Sequence, residues 1–172
     1  MGKKVVVIGG VALGPKVACR AKRLDPTTEV VVVDKDAHIS YGGCGIPYYV
    51  GGDVADLEGL QSTSAHVLRD SRFFAGAKGV EMRTRTEALA IDRQRQVVSV
   101  RNLTTGELDE LPYDELVLAT GAAPIVPPLP GADLPGVTVV ANLTHAKRIK
   151  DAIAKGQVGN AVVIGAGAIG IE

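Results

Sequence analysis

The beginning of the chain carries the pattern that most restricts its fold: an apolar strand, a glycine-rich turn, a helix and a second apolar strand. Residues 5–8 form a short continuous apolar run, and residues 9–14 contain the glycines of the turn. A helix follows to about Leu24, and a second run, residues 30–33, ends at Asp34. Continuous apolar runs of this length are typical of parallel strands buried on both faces. The pattern therefore predicts a β-α-β unit in an α/β fold.

The helix after the glycine turn has an apolar side. Pro15 fits only in the first turn of this helix, where the backbone N–H groups have no partner within the helix and the N–H that proline lacks is not needed. Residues 25–26, Asp-Pro, end the helix. Cys19 is expected to be a small packed residue of this helix. Apolar residues at helical spacing are expected to face the sheet, namely Leu13, Val17, Ala21 and Leu24.

The composition agrees with a buried parallel sheet and disfavours several classes of protein. Of the 172 residues, 46% are hydrophobic and only 3% aromatic, so aliphatic side chains must build the core. The 19 Lys and Arg residues balance 19 Asp and Glu residues, which leaves no net charge to attract nucleic acid. No apolar run has the length of a membrane span, and no signal peptide is recognised. Two cysteines in unlike surroundings make no disulfide framework, so we expect a cytoplasmic protein without membrane partners.

The middle of the chain is expected to extend the first unit. A helix is predicted from Ser64, its N-cap, to near Ala75, and a strand follows at residues 80–84. A buried strand is predicted at residues 116–119. Between these two strands, three segments predict an antiparallel meander: residues 88–91, 97–101 and 108–113.

The last part of the chain is expected to begin a second domain. A helix is predicted from Thr144, its cap, to about Lys155, and residues 161–164 form a new apolar strand before further glycines. A lone strand cannot complete a sheet, so we expect this segment to be frayed or packed against another chain. The predicted domains are residues 1–121, a linker at 122–143, and the start of a second domain at 144–172.

Both glycine turns have the arrangement that binds a pyrophosphate. Glycines let the backbone approach the ligand, and the N–H groups and dipole of the following helix attract the anion. An acid at the end of the next strand accepts hydrogen bonds from a ribose, and Asp34 follows Gly14 by 20 residues. Such an acid fits FAD or NAD better than NADP, which carries a 2′-phosphate. The candidate cofactor-binding residues here are Gly9, Gly10, Val11, Ala12, Gly14, Asp34 and Lys35.

The two turns match the G-x-G-x-x-G pattern to different degrees. The second, formed by Gly165, Gly167 and Gly170, is complete, whereas Val11 replaces the middle glycine of the first. A strand-to-helix turn without a ligand is the alternative for each. For the first turn, the flanking strand, helix and acid favour the nucleotide; for the second, only the preceding strand does.

Four motifs occur in a recognisable order: VIGGVALG at residues 7–14, SYGGCGIPYY at 40–49, LVLATGAAP at 116–124 and VVIGAGAIGIE at 162–172. In these the chain resembles the FAD/NAD(P)H-dependent pyridine nucleotide-disulfide oxidoreductases along essentially its whole length. The similar subgroup contains coenzyme A-disulfide reductase, NADH oxidase or peroxidase, and NADH-dependent persulfide or polysulfide reductase. The cysteine motif looks more like the coenzyme A-disulfide and persulfide branch.

The resemblance implies a Rossmann-like FAD-binding domain that is truncated at the start of a second, NAD(P)H-binding domain. It places Ala119, Thr120 and Gly121 beside the flavin, and it implies that a later stretch returns to complete the FAD domain. It also implies a longer parent enzyme that is a homodimer. The 172 residues alone are then expected to be a nucleotide-binding fragment without turnover.

Cys44 is the candidate redox centre. Glycines flank it, and the expected helix N-terminus stabilises a thiolate. Cys19 is not a partner thiol, so Cys44 must cycle through a mixed disulfide, a persulfide or a sulfenic acid. The alternative is a buried, inert cysteine. The resemblance implies that electrons pass from NAD(P)H to FAD, to Cys44, and to a low-molecular-weight disulfide or persulfide.

A basic stripe on the first helix is the candidate substrate contact. It consists of Lys16, Arg20 and Arg23, which lie on one side of the helix, and it is either a solvated surface or a clamp for an anionic substrate. The resemblance places coenzyme A contacts at these three residues and at Ser40 and Gly43. Coenzyme A-disulfide reductases commonly have Asn where this chain has Gly43, so coenzyme A is one candidate among thiol substrates.

Two alternatives to a disulfide or persulfide reductase stay open. One is an NADH oxidase or peroxidase in which Cys44 forms a sulfenic acid. The other is the non-catalytic nucleotide-binding fragment. No metal is expected, because His38, His66 and His145 show no metal-ligand spacing.

Overall fold

The computed structural model describes residues 2–172 and divides them into two compact units. The first unit is the chain up to Tyr41 together with Gln61–Ala122, and the second is Gly42–Leu60 together with Ala123–Glu172. The predicted domains are defined by cofactor rather than by compactness, so their boundaries stay a prediction. No helix within residues 2–172 is long and apolar enough to cross a bilayer.

The elements follow the predicted order with a few changes. The strands are β1 Lys4–Ile8, β2 Glu29–Val33, β3 Glu81–Arg83, β4 Thr86–Asp92, β5 Val97–Asn102, β6 Leu108–Pro112 and β7 Glu115–Leu118. The helices are α1 Leu13–Leu24, α2 Ile46–Gly51, α3 Leu57–Gln61, α4 Ser71–Phe73, α5 Leu143–Ala154 and α6 Ala168–Ile171. A 3₁₀ turn, Gly43–Gly45, precedes α2, and a π-helical turn, Phe74–Lys78, continues α4.

The first unit contains a parallel sheet and an antiparallel meander. The parallel sheet has the order β3-β2-β1-β7, and β1 lies at its centre, with Val6 opposite Val31 on one side and Leu116 on the other. The meander has the order β4-β5-β6. These sheets confirm the predicted Rossmann-like α/β fold with a three-stranded meander.

The valines of β1 and β2 build a core on both faces of the parallel sheet. On one face, Val7 and Val32 pack with Ala18 of α1 and with Phe74. On the other face, Val6 and Val33 pack with valines of β5 and with Leu111 of β6. Because α1 covers one face and the meander the other, residues 5–8 and 30–33 are all apolar, and only the first residue of each strand is charged.

The predicted apolar side of α1 is wrong at its two ends and holds at Ala21. Leu13 and Leu24 are 55% and 68% exposed, whereas Gly14, Pro15 and Ala18 are buried. The helix approaches the glycine turn so closely that small residues, rather than leucines, occupy the contact. Cys19 and Ala21 pack against this core at its edge, which confirms the interpretation of Cys19 as a packed residue.

The helix predicted at residues 64–75 is also wrong. His66 has φ +57°, and the backbone N–H of Thr63 donates to Val67 in a turn, so this stretch cannot be helical. The helix begins instead after Asp70, whose carboxylate accepts from the backbone N–H of Phe73. The predicted buried strand at 116–119 is β7, but it forms an edge of the sheet and its Leu118 is exposed.

The second unit contains α2, α5 and the second glycine turn. Asn142, rather than Thr144, caps α5, because its side chain accepts from the backbone N–H of His145. The strand predicted at 161–164 does not form, and Val162, Val163 and Ile164 are 87%, 66% and 79% exposed. This agrees with the expectation that the segment cannot complete a sheet on its own.

Two leucines on β6 provide a matched test of the core between the two sheets. Leu111→Ala removes a buried side chain, so we expect the free energy of unfolding to fall by about 2–5 kcal/mol. Leu108→Ala, on the same strand but 73% exposed, should change it by less than about 0.5 kcal/mol. Urea unfolding followed by circular dichroism measures both, and equal effects would contradict the assignment of this core.

Candidate functional site

The first glycine turn requires glycine for two independent reasons. Gly9 has φ +113°, a conformation that L-residues rarely adopt. A Cβ atom on Gly9 would also overlap the backbone carbonyl of Ala119. The backbone N–H of Ala119 donates to Ile8 at 2.8 Å, so the segment after β7 lies against the turn. The predicted cofactor residues Gly9 and Ala119 are thus neighbours in the first unit.

The N-terminus of α1 is open toward an anion. A Cβ atom on Gly14 would overlap the carbonyl of Gly9, which explains the glycine at this end of the pattern. No side chain caps the helix at Ala12, and its first turn contains no acidic residue. Pro15, also in this turn, has no N–H. A helix start without a cap or an acid suits a phosphate group.

Asp34 stands at the end of β2 with its carboxylate directed at the turn. Its Oδ2 accepts from the backbone N–H of Gly10 at 2.6 Å, and its Oδ1 accepts from that of Asp36 at 2.8 Å. Each carboxylate oxygen has a second acceptor site. Asp34 is partly exposed, so those acceptor sites can accept hydrogen bonds from the hydroxyl groups of a ribose. The residues of this turn therefore fit the adenosine diphosphate part of FAD.

The segment after Asp34 covers the turn and is held by a residue that the sequence analysis missed. The N–H of Ser40 donates to the carbonyl of Gly10 at 2.9 Å, and the side chain of Ile39 packs against Gly10. The buried side chain of Gln61 contacts both His38 and the backbone of Ile39. A single glutamine makes no pattern, so no sequence signal identifies it.

The predicted substrate residues of the first unit have different environments. Lys16, Arg20 and Arg23 are exposed on α1 and form no ion pair with any residue in the described range 2–172. Ser40 is buried, with φ +51°. Lys35, which was predicted as a cofactor residue, is exposed. The basic stripe is therefore free to contact an anion.

Cys44 lies in the second unit, in the 3₁₀ turn that leads into α2, and its thiol is free and exposed. The predicted helix start at Cys44 is confirmed, and the alternative of a buried cysteine is wrong. The N–H of Gly42 donates to the carbonyl of Leu60, and a Cβ atom on Gly45 would overlap the Leu60 side chain. Gly43 has open space around it. The glycines therefore fix the turn and leave the thiol accessible.

Cys19 differs from Cys44 in its exposure, since the thiol of Cys44 is exposed and Cys19 is only partly so. It packs against the core of the first unit. Burial raises the pKa of its thiol, an effect that Lys78 and Arg23 partly offset. A thiol that stays protonated is a poor nucleophile. Cys44 is therefore the more accessible of the two thiols, and its redox role stays a prediction.

A lysine of α5 holds the end of the cysteine segment within the second unit. The Nζ of Lys150 lies 4.0 Å from the centroid of the buried Tyr49 ring. It donates to the carbonyls of Val54 and Ala55 at 3.0 and 3.1 Å. The sequence analysis missed this contact, which joins residues almost a hundred positions apart.

The second glycine turn repeats the backbone geometry of the first. Gly165 has φ +124°, close to the value at Gly9, and a Cβ atom on Gly170 would overlap the carbonyl of Gly165. A Cβ atom on Gly167 would have no neighbour within 4 Å. The middle position is therefore not required by the turn itself, which explains how Val11 can occupy it in the first turn.

No group of three or more metal-ligating side chains occurs among the residues that the structure describes. The candidate features of the first unit are one glycine turn and the Asp34 carboxylate, and those of the second unit are the other glycine turn and the exposed thiol of Cys44. Together with the parallel sheet, the glycine turn and Asp34 define a dinucleotide-binding α/β protein.

Comparison with known proteins identifies the family. Residues 3–172 match the pyridine nucleotide-disulphide oxidoreductase family, and the chain belongs to it. A NAD(P)H coenzyme A polysulfide/persulfide reductase of Pyrococcus horikoshii is 36% identical over 172 residues, which cover 100% of this chain and 36% of that protein. The predicted family and oxidoreductase class are therefore confirmed.

Solved structures agree with this assignment. Reduced CoADR-RHD of Bacillus anthracis has a TM-score of 0.91 at 32% identity, with coverage of 99% of this chain and 30% of that chain. The water-forming NADH oxidase of Lactobacillus brevis, bound to NADH, has a TM-score of 0.80 at 34% identity, with coverage of 99% and 36%. FAD and NAD(P)H, the predicted cofactors, are those of the family's enzymes. The chain spans about a third of the length of these relatives.

Proposed function

We propose that this chain is the FAD-binding N-terminal part of an NAD(P)H-dependent disulfide or persulfide oxidoreductase, similar to coenzyme A-disulfide reductase. The observation that carries the proposal is the Asp34 carboxylate, hydrogen-bonded to Gly10 beside an uncapped helix N-terminus. The open N–H groups of the turn suit the diphosphate of FAD, and Asp34 suits its ribose. The second turn, at Gly165 to Gly170, has the matching geometry for NAD(P)H.

Cys44 is the proposed nucleophile. Its sulfur attacks one sulfur of the substrate disulfide, which forms a mixed disulfide and releases the other half as a thiolate that takes up a proton. FAD, if bound, would supply the two electrons that come from NAD(P)H. Cleavage of the mixed disulfide with these electrons returns Cys44 to its thiolate and releases the second half of the substrate as a thiolate, which takes up a proton. Since Cys19 is packed in the core, no second cysteine of this sequence resolves the mixed disulfide.

The substrate is proposed to be a low-molecular-weight thiol derivative with an anionic arm. The exposed, unpaired side chains of Lys16, Arg20 and Arg23 can contact phosphates, which makes coenzyme A a candidate. Ser40 and Gly43 are the further proposed substrate contacts, and Thr120 and Gly121 the further flavin contacts. The parent enzyme is proposed to be cytoplasmic and homodimeric, and the two free cysteines of this chain are in keeping with a reducing compartment.

An NADH oxidase is the second candidate, because the Lactobacillus brevis enzyme is also similar to this chain. In that case Cys44 would reduce peroxide or oxygen through a sulfenic acid rather than a mixed disulfide. Turnover of the parent enzyme with coenzyme A disulfide, peroxide and oxygen as acceptors separates the two. We expect the disulfide to be preferred, and a preference for peroxide or oxygen would favour the oxidase.

The role of Asp34 can be tested by FAD affinity. Asp34→Asn removes the charged acceptor, so we expect FAD to bind at least about tenfold more weakly. Asp133→Asn is the matched control, because Asp133 is exposed and far in sequence from the turn. Flavin fluorescence titration measures both affinities. Equal FAD affinity in Asp34→Asn and the unaltered chain would contradict the proposed cradle.

The role of Cys44 requires the complete parent enzyme. Cys44→Ser should abolish disulfide reduction while FAD stays bound, because serine cannot form the mixed disulfide. Cys19→Ser should retain turnover, since that thiol only packs. Steady-state NADH consumption with a disulfide acceptor and the flavin absorbance report both properties. Normal turnover of the Cys44→Ser enzyme would exclude the proposed mechanism.

A further inference from the structure

Gln61 is a buried polar residue, and both the nitrogen and the oxygen of its side-chain amide have a polar partner. It is 8% exposed, and its Nε2 lies 3.1 Å from the carbonyl oxygen of Ile39. Its Oε1 lies 3.3 Å from Nδ1 of His38. The backbone carbonyl of Gln61 accepts two hydrogen bonds from Arg69, one from its backbone N–H and one from its Nε. Gln61 and its three partners, His38, Ile39 and Arg69, all belong to the first unit.

The direction of these bonds follows from the carbonyl of Ile39. A carbonyl only accepts, so the amide NH₂ of Gln61 must face Ile39 and the amide oxygen must face His38. The ring Nδ1 of His38 therefore carries the proton of that contact. An apolar residue at position 61 would leave the Ile39 carbonyl unpaired in a buried place, and an ionised carboxylate would repel it.

Residues 38–40, which contain the partners of the Gln61 side chain, also contact the first glycine turn. Ile39 packs on Gly10, and the N–H of Ser40 donates to the Gly10 carbonyl. The N–H of Gly10 in turn donates to Asp34. Ser40 keeps φ +51°, a conformation that persists only where its surroundings enforce it. The Gln61 side chain bonds to the carbonyl of Ile39, the residue directly before Ser40.

We infer that Gln61 is a positioning residue for the nucleotide cradle. Its amide fixes residues 38–40, which fix Gly10 and, through its N–H, the carboxylate of Asp34. Gln61 itself contacts neither the turn nor Asp34 by any hydrogen bond in the described part of the chain. The inference rests on the proposed role of the turn in binding FAD. It adds a residue outside the glycine pattern, Gln61, that stabilises the conformation of the turn.

The variant Gln61→Glu gives a test with a pH signature. A protonated carboxyl can donate to the Ile39 carbonyl as the amide does, whereas the ionised form cannot. We expect FAD to bind about tenfold or more weakly than to the unaltered chain at pH 8, and with nearly equal affinity at low pH. Gln61→Met, which has no donor at any pH, should stay weak throughout.

Three charged or titratable groups near this contact must be held constant. They are His38, Arg69, which stays charged, and Asp36, which accepts from the backbone N–H groups of Ala37 and His38. Each affinity is therefore expressed as a ratio to the unaltered chain at the same pH. Repeating the comparison with His38→Asn in both chains removes the titration of the imidazole.

Gln94 provides matched controls, because it is exposed in the turn between β4 and β5 of the same unit. Gln94→Glu and Gln94→Met should bind FAD like the unaltered chain at every pH. A loss of affinity in Gln61→Glu that is equal at low and high pH would overturn the inference, because it would indicate a general loss of packing. Unchanged affinity would also overturn it.

Amide hydrogen exchange tests the same residue without FAD. We expect Gln61→Glu to lose protection at the N–H groups of Gly10 and Ser40 at pH 8, relative to the unaltered chain, and to regain it at low pH. If the complete parent enzyme binds no FAD, the proposed function fails, while exchange still decides the role of Gln61. If the variant unfolds at pH 8, recovery of its circular dichroism on acidification supports the inference, and no recovery overturns it.

Discussion

The close approach of two backbone segments at Gly9 is the constraint on which the first unit depends. With φ +113° and the Ala119 carbonyl where a Cβ atom would lie, no other residue fits without displacing β7. Gly14 also lies directly against the carbonyl of Gly9, and this contact sets how closely α1 packs on the sheet. The uncapped start of the helix is a consequence of this geometry, and so is the proposed place of the diphosphate.

Polar contacts around the turn complement this backbone geometry. Asp34 uses one acceptor site of each oxygen on backbone N–H groups, which fixes the carboxylate and leaves its other sites for a ligand. A free carboxylate would rotate and bind a ribose with a larger loss of entropy. The protein therefore prepares the acceptor before the nucleotide arrives, and the loop from Asp34 to Ser40 contributes to that preparation.

The sequence predicts features that depend on neighbouring residues and misses those that depend on distant ones. The strands of the parallel sheet and the meander follow from apolar runs and turns, and Asp34 follows from its spacing after the glycines. The buried side of α1 was displaced, because the contact between Gly14 and Gly9, rather than helical periodicity, decides it. Gln61 and Lys150 were missed because their partners lie 22 or more positions away, where no local pattern refers to them.

The second glycine turn keeps its shape although residues 161–164 before it form no strand in the described part of the chain. Gly165 and Gly170 reproduce the backbone arrangement of Gly9 and Gly14 without the support of a sheet. The loop is therefore encoded within about six residues, and contacts so short in sequence form quickly during folding. Such a loop can form before the sheet around it during folding. The same loop can also occur twice in one polypeptide with few changes in the residues around it.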